Sequence, residues 1–172
     1  MIPPGQLRLL AELSFLRIFL AWEEFLEETF IRYMRGAKTG SGYGPRCFVN
    51  PTTLEHASQI LTSPRQYVDW TTPSEAIKRA KLYFHQGEPY ASALLGATED
   101  LQDMNTIRNR IAHSSAHAKQ QFRSLVLRKF GYNPAGMGPG RLLLHTIPPH
   151  GQQTFFEHHA NVILTLSAMI VP

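Results

Sequence analysis

Cysteine is nearly absent: the 172 residues contain one, Cys47. A single thiol excludes an intramolecular disulfide and any cysteine-rich zinc site, and it suits a reducing compartment. Long apolar runs are absent too. The longest, Val162 to Val171, falls short of the roughly 18 residues a membrane span needs, so no membrane partner is expected. Leucines follow Arg8 near the start, but Glu12 and Arg17 interrupt any signal-peptide core. No stretch alternates with period two beyond a few residues; Arg141 to Ile147 comes nearest and reads as loop or a short extended piece. Charged residues are sparse at 17%, and the balance of 17 basic against 13 acidic gives +4. That modest positive charge suits a polyanionic partner. At 43% hydrophobic residues the chain is too apolar for disorder. Its length suits one domain, 1–172, with its own core, and a cytoplasmic location is the matching expectation.

What remains is helical. Leu7, Leu10, Ala11, Ser14, Phe15, Ile18, Trp22, Phe25, Leu26 and Thr29 recur at three- and four-residue steps, predicting one long helix over about 6–35 with these on its buried face. Glu28 and Arg32 form a favourable i,i+4 pair, and Gly36 follows as a stop. The capping pattern Ser/Thr-x-x-Glu/Gln occurs at Thr52–Glu55, Ser63–Gln66, Thr72–Glu75 and Thr154–Glu157, with Pro64 and Pro73 at first helical positions. Helices are therefore expected near 53–62, 73–86, 98–114, 116–130 and 154–170, with a short turn near 64–69. The fold class is all-α, a bundle.

Two Gly- and Pro-rich stretches, 36–51 and 131–151, punctuate the chain without dividing its composition. The first invites a phosphate-cradle reading, but it follows a helix and runs into Pro45, without the strand and Walker spacing such a loop requires. It reads as a connector in which Lys38 and Arg46 are free to touch RNA. Eight histidines raise the question of metal. No carboxylate stands at the matching helical spacing beside His113 and His117, so no metal site is assigned. Cys47 has Arg46 beside it but no identifiable partner base for nucleophilic chemistry.

The segment Leu101 to His113 differs. On a helical wheel Leu101, Met104, Ile107, Ile111 and Ala112 form one apolar arc, with Arg108 inside it. Gln102, Asn109 and His113 cluster on the other side, and Asn105 lies nearer the boundary. A guanidinium among apolar residues is costly unless it meets an anion or carboxylate. Two readings follow: a structural arginine bonded to a glutamate of the first helix, or an arginine kept for a phosphate. Asp103 and Glu24 are both candidates to orient it.

Arg108-Asn109-Arg110-Ile111-Ala112-His113 resembles the Arg-x4–6-His motif of the HEPN superfamily (higher eukaryotes and prokaryotes nucleotide-binding), in its Arg-Asn-x3-His form. Leu101-x-x-Met-x-x-Ile107, Ser114-Ser115, the Ala21-Trp22-Glu23-Glu24-Phe25-Leu26 stretch and Gln66-Tyr67-Val68-Asp69-Trp70 resemble small bacterial members. The resemblance runs from about residue 7 to 170. It implies an up-and-down bundle of about five main helices that dimerises and sets two motifs across a shared cleft. It further implies a metal-independent endoribonuclease of the toxin or phage-defence kind, needing no cofactor, with RNA as substrate and an antitoxin, if any, as a separate chain. The catalytic residues would be Arg108, Asn109 and His113, with Arg110 and Lys119 as substrate contacts. The alternative is a non-catalytic dimeric HEPN module that binds nucleotide, RNA or a protein partner.

Overall fold

The computed structural model describes residues 3–62, 68–148 and 151–172. Among them the chain is helical, with no strand beyond two isolated bridges. The helices are α1 (Pro4–Met34), α2 (Leu54–Thr62), α3 (Pro73–Tyr83), α4 (Tyr90–Gly96), α5 (Thr98–Ala112), α6 (Ala116–Phe130), α7 (Pro139–Leu143) and α8 (Phe155–Ile170). A single 3-10 turn, His85–Gly87, follows α3. The Ser63–Gln66 cap, Pro64, Gln66-Tyr67 and most of the turn near 64–69 lie outside the described residues. No helix among the described residues is long and apolar enough to cross a membrane.

The chain divides into two compact units, one of residues 1–21 and 102–163, the other of 22–101 and 164–172. In the second unit Phe30 is fully buried, with the rings of Trp70, Phe84 and Tyr90 centred 5.3, 4.7 and 5.0 Å away. The polar ends of these aromatics are satisfied: Trp70 Nε1 donates to Glu27, Tyr90 to Thr29 Oγ1 and Tyr33 to the Ile170 carbonyl. Burial pushes the Tyr90 hydroxyl far above the ordinary phenol value, so it serves as a neutral donor.

In the first unit the core gathers Phe15, Phe19, Met104, Ile107, Phe122, Val126, Leu142 and Phe155. His159 is buried there too, its ring 6.0 Å from Phe15 and 6.4 Å from Phe155. Asp103 of α5 is 1% exposed. It pairs with Arg128 and, at 2.7 Å, with Lys129, both in the last turn of α6. Gly140 of α7 donates its N–H to Glu12, and a Cβ at that position would stand 2.5 Å from the Arg8 carbonyl oxygen. Only glycine permits that approach of α7 to α1.

Local chemistry explains where expectation and structure part. The buried face of α1 runs Ala11, Phe15, Phe19, Trp22, Leu26, Phe30 and Tyr33, and leaves Leu7 and Leu10 exposed along with Leu9, Leu13 and Leu20. Of the expected face, Ala11, Phe15, Trp22 and Leu26 are buried; Leu7 and Leu10 are not, because the leucines at 7, 9, 10, 13 and 20 point in too many directions around the helix for all to face inward. Thr154 and Glu157 form the expected reciprocal cap, at 2.7 and 3.2 Å. At α2 the capping hydroxyl is that of Thr53, not Thr52. At α3 Thr72 sits at the cap with Pro73 behind it, but its hydroxyl donates to Asp69 instead. Helix α3 stops at Tyr83, short of the expected 86, since Phe84 turns extended and bridges Cys47. The segment near 141–147 is helical in its first part, and α4 had no counterpart in the sequence reading.

Asp69 also accepts from the backbone N–H and hydroxyl of Thr71, at 2.8 and 2.6 Å. Burial alone would raise its pKa, but the Thr71 and Thr72 bonds outweigh it and hold the carboxyl below its ordinary 3.8. A depressed folded pKa means stability present above the unfolded value and lost as pH falls through the folded one. Urea midpoints measured against pH should therefore fall below about pH 4 in the wild type, and fall less steeply in Asp69→Asn.

Candidate functional site

Helix α5 carries the motif on its last two turns, within the first unit. Arg108 is half-buried and donates from Nη1 to Asn109 Oδ1 at 3.0 Å. Asn109 in turn donates from Nδ2 to Asn105 Oδ1 at 3.1 Å, one turn back. The guanidinium is thus held by a short chain of neutral amides along one helix, which position it without neutralising it. Asp103, a candidate to orient Arg108, is committed to Arg128 and Lys129, and Glu24 is exposed. A charge steered by amides keeps its full attraction for an anion, whereas a carboxylate partner would have to be displaced first.

Helix α5 ends at Ala112, but the His113 N–H still reaches the Asn109 carbonyl at 2.9 Å. His113 is therefore placed by helical geometry while its ring is exposed. Asn109 is linked to His113 through this main-chain bond; its side chain goes to Asn105 and Arg108. Arg110 donates from Nη1 to the His113 carbonyl at 3.3 Å, so this expected substrate contact caps the negative end of α5. Two residues on, Ser115 caps α6, its hydroxyl accepting from Ala118 N at 3.2 Å. Lys119 is exposed one turn into α6, as is His117.

The arrangement joins Arg108 and Asn109 directly and leaves Arg110, His113 and Lys119 around one tight turn. With 100° and 1.5 Å per residue, Arg108 and His113 lie about 140° apart around the axis and about 7.5 Å along it. Asn105 was missed as part of the constellation, although its i,i+4 spacing to Asn109 was in the sequence. Comparison with protein-family models, with curated proteins and with solved structures finds no match to this chain.

The Ser115 cap is testable through its contribution to stability. Replacing Ser115 with alanine should lower unfolding stability by about 1 kcal/mol in urea titrations, because one N–H at the start of α6 loses its acceptor. Replacing the exposed His117 with alanine should change it by less than about 0.5 kcal/mol.

Proposed function

We propose that the protein is a metal-independent endoribonuclease of the HEPN type, built as an up-and-down helical bundle and working as a homodimer. The observation that carries this reading is the side-chain chain Asn105–Asn109–Arg108, which holds a guanidinium ready on the helix that leads into an exposed His113.

RNA brings its own nucleophile, the 2′-OH, so cleavage needs proton transfer and charge stabilisation rather than an activated water. His113 is suited to the first task, as base toward the 2′-OH or acid toward the leaving 5′-oxygen, because imidazole exchanges protons near neutrality. Arg108 is suited to the second: its planar fork meets two phosphoryl oxygens as their charge grows. Asn109 keeps Arg108 aimed. Arg110 and Lys119 add positive charge around the turn and favour the RNA backbone. The divergence of Arg108 and His113 around α5 is the reason for a dimer. Two copies related by a two-fold axis supply an arginine from one and a histidine from the other to one phosphate. The products are a 2′,3′-cyclic phosphate and a 5′-hydroxyl. The role this serves is that of a toxin or defence effector, restrained where needed by a separate antitoxin chain.

The test is cleavage of total bacterial RNA by purified protein in EDTA. Wild type should cut, and His113→Ala and Arg108→Ala, folded and in the same oligomeric state, should lose about 10²-fold or more in rate. RNA binding without cleavage by the wild type would identify the non-catalytic module instead. Equal cleavage by all three would make the motif structural.

A further inference from the structure

A second feature of the first unit has no part in the motif. Where α6 ends, Gly131 takes the left-handed conformation (φ +76°) and closes the helix with its N–H on the Leu127 carbonyl at 2.8 Å. The chain then folds back beside α6. Met137 N–H returns to the Pro134 carbonyl at 3.2 Å, and Arg141 clamps the loop from outside by donating to the Ala135 carbonyl at 2.8 Å. Between this loop and α6 lies a cavity of about 540 Å³, within the range of small-ligand sites.

Its chemistry is specific. Pro134 and Met137, both partly exposed, give it an apolar side, and Phe122 and Val126, 3% and 1% exposed, close it from the core. Two polar side chains stand at it, Arg123 and Asn133, both exposed. Neither side chain has a hydrogen bond or ion pair to the described residues. A phosphate would gain nothing from the apolar side, and an aliphatic ligand nothing from a guanidinium and an amide. A flat heteroaromatic ring with hydrogen-bonding edges uses all of them: it packs on Pro134 and Met137, stacks under a guanidinium, and meets an amide able both to donate and to accept. The location agrees. Lys119 and Arg123 are one turn apart on one face of α6, and Arg123 is about 12 Å along the axis from Ser115, at the turn that carries His113.

We propose that this cavity is a base-reading subsite: it receives one unpaired nucleobase of the RNA whose phosphate lies at the Arg108–His113 turn, and it sets which sequence is bound. The proposal rests on the ribonuclease reading for the identity of its ligand, but binding can be measured apart from cleavage. Short fluorescein-labelled 2′-O-methyl oligonucleotides of A, C or U alone have no free 2′-OH and cannot be cut. The full-length wild type should bind one of the three at least about tenfold more tightly than the others. Asn133→Ala and Arg123→Ala should each weaken that oligonucleotide about tenfold and flatten the preference. Arg141→Ala, which releases the loop without touching the ligand, should flatten it in part, and His113→Ala should leave it intact. In protein labelled at the methionine methyl groups, the preferred oligonucleotide should shift the signal of Met137 and leave that of the buried Met104 in place.

Binding of all three with equal affinity, with Met137 unmoved, would overturn the subsite and mean that the oligonucleotide is held by backbone charge alone. Absence of any binding by wild type would overturn it as well. Cleavage in EDTA that depends on His113 but is indifferent to Asn133 would sink the subsite and leave the ribonuclease reading standing. A base preference that depends on Asn133, in a protein that never cleaves, would do the reverse.

Discussion

The carboxylate of Asp103 is the constraint on which the candidate site depends. It is buried on α5, where an ionised group stripped of partners costs several kcal/mol. Arg128 and Lys129 from the last turn of α6 meet it. Their charge fixes one end of the α5–α6 pair, and the Ser115 cap fixes the other. Arg108, Asn109 and His113 lie between Asp103 and Ser115 in the chain, on the last turns of α5 and just past its end. The pairing also removes Asp103 from competition for Arg108, which is why the arginine of the motif is left to amides.

How much of this was legible in the sequence depended on whether the partner was near in the chain. The Thr154–Glu157 cap, the extent of α6 and the place of Arg108 and Asn109 on one helix all follow from residues a few positions apart, and the structure has them so, with His113 just past the end of α5. Thr72 had the right spacing for a capping box, but its hydroxyl is drawn to Asp69 on the preceding turn, a competition that spacing alone does not reveal. Leu142 and Leu143 looked like part of an extended piece, and they turn helical where Gly140 lets α7 close on α1. Asp103 looked like a partner for Arg108 because both lie on α5, and only the return of α6 showed where its charge is spent. The cavity beside α6 was illegible for the same reason. Asn133 belongs to a Gly- and Pro-rich stretch with no periodicity, and its place beside Arg123 depends on the fold-back of that loop along α6.

The leucines on the outer side of α1 complete the contrast. Leu9, Leu10, Leu13 and Leu20 are each about half exposed, while Phe15 and Phe19 between them are buried. A helix apolar on nearly all sides gives no clear signal of which face turns inward. The aromatic residues decided it here, since burying a ring removes more apolar surface from water than burying a leucine.

The turn after α5 brings two helix ends of opposite polarity side by side. The terminal carbonyls of α5 repel an anion, and the first N–H groups of α6 attract one. Arg110, seated on the carbonyl of His113, quenches the repulsive end. A polyanion nearing the turn is then met by the attractive end of α6 together with Lys119. Arg110, expected from the sequence to contact RNA, also offsets the negative pole of α5 at this turn. It lets one helix terminus govern the local field by silencing the other.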